Sequence, residues 1–306
     1  MMIFAIFAFF TYPDVSVSPQ LPKEQIAEEF FQAKEGFLDR WEAFRKDKKF
    51  IPFQKGKSDE ILEKEFCQIQ EVRHGVWFTN PCEVIREPTE GYDVAKSLLF
   101  EDLSRARNCM AFSYNNTTPY YNASTMDIGL FQCIACEGPR VTEVNRFFQM
   151  LISYHVTHLV RLTAAKEGDH FKCHSYWEGH LGSDCSILQI PVAPNVYYPV
   201  QAYSLEDWKD NQGIDPKRLL DLVLQVKNDV PKKRGILAVH CSAGVGRTGT
   251  FLAALSIVVA IDRKIPFSIE EIVYKLSLQR IYSVAQKKQY ITLHRLAEEY
   301  VKRNNL

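Results

Sequence analysis

Apolar positions along this chain follow two spacings. From Pro22 to Lys46, Ile26, Phe30, Ala33, Phe37, Trp41 and Phe44 recur at steps of four and three with charges between them, which predicts an amphipathic helix. A polar break from Pro52 to Ser58 follows, and then Ile61, Leu62, Phe66, Ile69 and Val72 repeat the helical spacing. Asn80 to Tyr92, rich in Pro, Gly and charge, reads as a loop. Phe147 to Leu151 followed by Leu159 to Thr163 reads as an apolar helix feeding a buried strand. Near the C-terminus a short apolar run, Ile236 to Val239, precedes a small-residue loop and the apolar stretch Phe251 to Ile261. That order predicts a buried strand, a loop and a buried helix. At the other end, Met1 to Phe10 is almost wholly apolar until Tyr12-Pro13-Asp14 break the run. Ten residues are too few for a membrane-spanning helix, which needs about twenty. With no Lys or Arg before it and no clean small-x-small site beyond it, the run reads equally as a weak export signal or as a terminus that does not pack.

The loop between the C-terminal strand and helix carries the candidate chemistry. It reads His240-Cys241-Ser242-Ala243-Gly244-Val245-Gly246-Arg247-Thr248-Gly249. Gly244, Gly246 and Gly249 allow a tight ring whose backbone N–H groups converge, and the following helix aims its positive end at the same point. A tetrahedral oxyanion fits such a ring. Cys241 stands at its start, in surroundings that lower a thiol pKa from about 8.5 to between roughly 3.5 and 7.5. Arg247 offers a planar fork for two phosphoryl oxygens, and the Thr248 hydroxyl can bond the sulfur when it becomes a leaving group. His240 is read as orienting the cysteine backbone rather than as a base. The alternative is that Cys241 is a small buried hydrophobe and Arg247 a helix-end cation. A Walker-type loop is excluded, since Gly-x-x-x-x-Gly-Lys-Ser/Thr is absent.

Composition narrows the partners. The 306 residues are 46% hydrophobic and 24% charged with a net formal charge of zero, which suits a large globular domain with or without an extension. No general attraction for nucleic acid or anionic membrane follows from that balance. The eight cysteines are scattered, and a thiolate nucleophile has to stay reduced, so a reducing compartment is expected: cytoplasmic, or an exported site that is reducing, with secretion left open by the N-terminal run. Cys133-x-x-Cys136 is the only close pair. Lacking a second pair or histidines at ligand spacing, it reads as a strand carrying two small apolar side chains, and no metal or cofactor is expected.

The ten residues from His240 to Gly249 resemble the signature loop of the protein tyrosine phosphatases, the cysteine-dependent enzymes with a C-x5-R nucleophile loop. Further segments follow in the family's order. Tyr120-Tyr121-Asn122-Ala123-Ser124 is similar to its Tyr-x-Asn-Ala-Ser strand, and Ala135-Cys136-Glu137-Gly138-Pro139 to its Ala-Thr-Gln-Gly-Pro segment. Leu159-Val160-Arg161-Leu162-Thr163 matches its Ile-Val-Met-Leu-Thr strand. The resemblance covers about Ile61 to Val301 and implies an α/β fold: a twisted mixed β-sheet flanked by helices, the signature loop between a strand and a helix. It also implies phosphotyrosine hydrolysis through a cysteinyl-phosphate, acting on phosphotyrosine-containing proteins without nucleic acid or an integral membrane span. The chain is accordingly divided into an apolar N-terminus and linker (1–21), a helical extension (22–58) and a catalytic domain (59–306).

The resemblance also assigns residues. Ser242, Ala243, Gly244, Val245 and Gly246 would line the phosphate ring with Arg247. Glu167 would clamp that arginine, and Lys172 would reach the general-acid loop. Expelling a phenolate, whose conjugate acid has a pKa of about 10, needs a proton donor on a mobile loop. Asp210, 31 positions before Cys241, is the choice, with Trp208 supporting it and Asp207 as the fallback. The family's Trp-Pro-Asp-x-Gly-x-Pro is altered here: Lys209 replaces the proline, Gly213 comes one residue late, and Pro216 is displaced. Lys209 would tend to hold Asp210 ionised. Gln286 or Gln289 would position the hydrolytic water, Gln286 being preferred as the first glutamine. The ring-stacking tyrosine is missing in register at Arg107-Asn108-Cys109, with Tyr114, Tyr120 or Tyr121 as substitutes. That absence keeps a dual-specificity or phosphoinositide phosphatase as the second reading. The altered loops keep a weakly active phosphotyrosine-binding protein as the third and a scaffold built on the N-terminal helix as the fourth.

Overall fold

A computed structural model of the protein describes residues 49–77, 109–111, 120–130, 132–182, 186–231, 235–280 and 282–304. The expectations for Met1 to Phe10, the helix from Pro22 to Lys46 and the loop from Asn80 to Tyr92 lie outside those residues. So do Arg107, Asn108 and Tyr114. The second periodic segment forms α1 (Asp59–Trp77), and it buries Leu62, Phe66 and Ile69 while Ile61 faces solvent. Before it, the polar break carries no helix. Phe53 donates its N–H to Phe267 O at 2.7 Å and stacks on the Phe267 ring, centroids 5.3 Å apart.

The strands are β1 (Cys109–Ala111), β2 (Tyr120–Asp127), β3 (Gln132–Cys136), β4 (His158–Arg161), the short pair β5 (Lys166–Glu167) and β6 (His170–Phe171), β7 (Ile187–Ala193), β8 (Val196–Ser204) and β9 (Ile236–His240). Seven form one mixed sheet in the order β1-β2-β3-β9-β4-β8-β7, and β5 pairs with β6 as a separate two-stranded ribbon. The centre is parallel: β9 lies between β3 and β4, and β4 pairs with β8 in the same sense. The edges are antiparallel hairpins. Parallel centres need helical crossovers, which the chain supplies as α2 (Val144–Ser153) and α3 (Pro216–Asp229), and the last strand is followed by α4 (Gly246–Asp262), α5 (Ile269–Gln279) and α6 (Lys287–Arg303).

Side-chain alternation along the strands splits the core in two. Leu237 and Val239 of β9 face a large cluster with α1 and α3 to α6. Ala238 faces a smaller one with Phe147, Phe148, Met150 and Leu151 of α2. Cys133 belongs to the first cluster and Cys136 to the second, so the i, i+3 pair in β3 points to opposite faces and cannot share a ligand. Of the 17 residues of α4, 13 are buried. A helix apolar all round belongs at the centre of a layer, and α4 contacts β3, β9, α3, α5 and α6. The loop before it therefore sits at the carboxyl edge of the parallel strands, with buried elements on both sides. Among the described residues no helix is long and apolar enough to cross a membrane.

Candidate active site

The loop from Cys241 to Val245 is held open from outside by its own carbonyls. Cys241 O accepts from His240 Nδ1 at 2.9 Å, and Ser242 O from the N–H of Gly138 at 2.8 Å. Ala243 O and Gly244 O accept from Arg280, at 3.2 and 2.6 Å. In a planar trans peptide the C=O of one residue and the N–H of the next point in opposite directions. Tying off the carbonyls of 241 to 244 therefore turns the N–H groups of 242 to 245 inward. The first N–H groups of α4 have no partner within their own helix and join them. Gly244 makes the ring close: its φ is +70°, and a Cβ there would lie 2.1 Å from Cys136 O. No other residue type tolerates both.

Behind the ring lies a buried polar scaffold that the sequence motifs contained without disclosing its role. Arg280, 1% exposed, also donates to Ser124 Oγ at 3.1 Å and Asn122 Oδ1 at 2.9 Å. Asn122 in turn donates to Glu137 Oε2 at 2.9 Å. Each of the family-like segments thus contributes a strut, and a buried arginine with this many acceptors is fully satisfied. His240 is wholly buried, and burial lowers its pKa to about 3. Because Cys241 O can only accept, Nδ1 carries the hydrogen and Nε2 accepts from the Tyr176 hydroxyl at 2.7 Å. A neutral ring with both nitrogens engaged orients the cysteine and is no base. Burial pushes the thiols of Cys136 and Cys173 up to about 12, so neither competes with Cys241 as a nucleophile.

Arg247 is fully buried. Its Nη1 donates to Glu167 Oε1 and to Trp208 O, both at 2.6 Å. Burial works against its charge, but Cys241, Asp210 and Glu167 outweigh that and hold its pKa above the ordinary value. On the opposite edge of the guanidinium Nε has no hydrogen-bond partner among the described residues, and neither has the buried Thr248 hydroxyl; Nη2 makes no hydrogen bond there and is held only by an ion pair with Asp210 Oδ1 at 3.3 Å. Two parallel donors on a clamped arginine, Nε unpaired and Nη2 facing only the Asp210 carboxylate, have the geometry of a fork for an oxyanion. Leaving a buried Nε–H without an acceptor is costly.

The acid loop, residues 206–214, closes over this edge. Trp208 is 1% exposed and ties the loop into a turn by donating Nε1–H to Gln212 O at 2.8 Å. Asp210 Oδ2 accepts from Lys172 Nζ at 2.9 Å, and Oδ1 lies 3.3 Å from Arg247 Nη2. Its own N–H donates to Glu167 Oε2 at 2.8 Å, so Glu167 bridges arginine and acid loop. Burial raises the Asp210 pKa, but the Arg247 and Lys172 charges overcome it and leave the carboxyl below the usual range. Those two cations, rather than the exposed Lys209, hold it ionised. Asp207 is turned away from the ring into an ion pair with Arg218, which removes it as the fallback acid. Arg161, unlike the methionine of the family's strand, stacks 3.5 Å over the Trp177 ring and anchors the start of the loop through Glu206 at 2.5 Å.

The two glutamines part company. Gln289 is 1% exposed, and its Nε2 lies 3.1 Å from the point where a Cβ on Gly246 would stand; Ala285 Cβ is 3.3 Å from it. Its Oε1 accepts from the N–H groups of Ala285 and Gln286, at 2.9 and 3.2 Å. Gln286 instead donates Nε2–H to Asn211 Oδ1 of the acid loop at 2.9 Å. The preference for Gln286 beside the phosphate ring therefore does not match the geometry: one residue separates it from the register that reaches Gly246, and at a helix start that turns the side chain to another face.

Fold and site define an α/β protein with an oxyanion cradle wrapped around a cysteine. The sequence model of the protein-tyrosine phosphatase family matches residues 95–195 and 188–299. Similar curated proteins include the receptor-type tyrosine-protein phosphatase eta of Mus musculus, 26% identical over 226 residues, covering 66% of this chain and 18% of the relative. The human receptor-type tyrosine-protein phosphatase epsilon is 30% identical over 207 residues, covering 59% of this chain and 29% of the relative. The catalytic domain of human protein tyrosine phosphatase non-receptor type 18 superposes with a TM-score of 0.60 at 19% identity, covering 79% of this chain and 96% of that one. A Trypanosoma brucei protein tyrosine phosphatase gives 0.58 at 23%, covering 81% and 93%. The chain belongs to the protein-tyrosine phosphatase family. It spans less than a third of the length of those two curated relatives.

Proposed function

We propose that the protein hydrolyses phosphotyrosine in proteins through a cysteinyl-phosphate. The observation that carries this reading is the Nε/Nη2 edge of the buried, clamped Arg247, met only by the Asp210 carboxylate, beside a ring of inward N–H groups. A phosphoryl group docked there satisfies both sets of donors at once. In the first step the Cys241 thiolate forms the S–P bond, the P–O bond to the phenol breaks, and Asp210 gives its proton to the departing oxygen. Asp210 has to be protonated for this. The dianion of the substrate, taking over the Arg247 fork, replaces a positive neighbour by a net negative one and raises the carboxyl's pKa. In the second step water attacks phosphorus, Asp210 takes the water proton, and the S–P bond breaks to return the thiolate, with Thr248 placed to donate to it. Gln289, packed against Gly246, takes the water-positioning role, and Gln286 does not.

PTPN18, which shares the fold, has been solved in complex with phosphorylated HER2 peptides, which supports phosphotyrosine peptides as the substrate class. A dual-specificity or phosphoinositide activity is the second reading, kept by the absence in register of the ring-stacking tyrosine at Arg107-Asn108-Cys109. A panel of phosphotyrosine and phosphothreonine peptides and phosphoinositide vesicles decides between them. The expected result is turnover of the first alone, with a phosphoenzyme trapped by acid quench that is absent in Cys241→Ser. Peptide binding without turnover would instead make the chain a phosphotyrosine-binding protein.

A further inference from the structure

The acid loop lacks the proline that would stiffen it at position 209, and its backbone has to be set by other contacts. Beside those of Trp208, Glu167, Lys172 and Arg247, one further set comes from a helix end. Gln286 donates to Asn211 Oδ1 at 2.9 Å, and Lys288 Nζ to Gln212 Oε1 at 2.7 Å. Gly213 packs so close to Lys288 O that a Cβ would stand 2.8 Å from it, and the Ile214 N–H donates to Thr292 Oγ1 at 3.4 Å. The four residues that follow Asp210 are thus fastened in sequence to the first turns of α6. Asn211 is the pivot, with a left-handed φ of +57° and its own N–H donated back to Asp210 Oδ1 at 3.1 Å. A bond to its side chain therefore acts on the acid itself.

We infer that Gln286 is a positioning residue for proton transfer: by bonding Asn211 it holds the acid loop closed and aims Asp210 at the leaving oxygen. This rests on the phosphatase reading above. It places Gln286 in the leaving-group step, whereas a water-positioning residue would act only on the phosphoenzyme. The bond is exposed, so water can replace it when the loop opens, and its net weight is that of an ordinary hydrogen bond, a shift in loop population of about 3- to 10-fold.

The test is rapid-quench kinetics of Gln286→Ala and Asn211→Gly with phenyl phosphate and 2,4-dinitrophenyl phosphate, whose leaving groups do and do not need a proton. Glycine keeps the left-handed backbone at 211, so the second variant removes the same bond without touching the end of α6. Both variants should phosphorylate about 3- to 10-fold more slowly than wild type from phenyl phosphate and at the wild-type rate from the dinitrophenyl ester, and the double variant should lose no more than either single one. Phosphorylation rates unchanged with both esters, equal losses with both, or losses that multiply in the double variant would overturn the inference. Wild-type protein forming no phosphoenzyme from either ester would overturn the phosphatase reading first and this one with it.

Discussion

The phosphate ring and the acid loop face the same point and are built on opposite terms. Every carbonyl from Cys241 to Gly244 is tied to a partner, and the partners are buried: His240 and Arg280 are 0% and 1% exposed. The acid loop is buried at Trp208, but from Asp210 onward it hangs on exposed contacts to Gln286 and Lys288, and Asp210 itself is 35% exposed. A buried hydrogen bond that opens leaves a desolvated polar group behind, whereas a surface one is exchanged for water at small cost. The ring is consequently the stiffer of the two, while the acid loop can exchange its surface contacts for water at small cost; under the proposed reaction that lets it admit substrate and close on it. Rigidity belongs where charge has to be stabilised, and adaptability where a group has to be let in.

Four measurements sharpen or break that contrast. The largest effect falls on the ring's nucleophile: Cys241→Ser should lower turnover by roughly 10⁶-fold, the scale for removing a nucleophile that acts as part of a unit, while calorimetry still shows phosphopeptide binding because the donors remain. Binding lost together with turnover would mean the cradle is not an independent rigid unit. Next, Asp210→Asn should slow phenyl phosphate hydrolysis by about 10²- to 10⁴-fold and the dinitrophenyl ester far less; a uniform loss would place the proton donor elsewhere. Third, Arg280→Met leaves Gly244 O, Ala243 O and Asn122 without their donor, and urea unfolding should show about 3 kcal/mol less stability together with lost phosphate affinity. Removing Lys288 from the acid loop should cost well under 1 kcal/mol in the same assay.

The fourth measurement concerns pH. His240 and His294 are buried and neutral, burial lowering each pKa from 6.5 to about 3. Between those values the unfolded chain binds protons that the folded chain refuses, so stability falls as pH falls, by up to about 1.4 kcal/mol per pH unit for each ring. Above about 6.5 their contribution is complete. His294 packs against the Phe53 and Tyr290 rings, away from the phosphate ring. Burial lowers the His158 pKa as well, so His294→Phe should remove only its own share of the slope in urea unfolding between about pH 5.5 and 4. A slope unchanged by that substitution would assign the pH response to groups other than His294.

Much of this was legible in advance because it is local. Strand, small-residue loop and buried helix follow from residues 236 to 261 read in order, and Cys241, Arg247 and Glu167 met as their segments implied. The opposite faces of Cys133 and Cys136 follow from strand period alone. Gln286 shows where local reading stops: one residue of register decides whether a side chain at a helix start meets Gly246 or Asn211, and neither partner is near it in sequence. Arg280 shows the same from the other side. It lies in a segment recognised for its glutamines, yet its four acceptors come from β2 and the phosphate ring.

What the sequence by itself determined is the order of elements, the sheet's apolar faces and the chemistry gathered at one strand end, since propensity, periodicity and a short motif all act over neighbouring residues. Only the tertiary structure decided which cations keep Asp210 ionised, which glutamine reaches the phosphate ring, and which buried arginine turns its carbonyls outward. Electrostatic and hydrogen-bond partners are chosen by distance in space, and the folding of distant segments onto one another sets those distances.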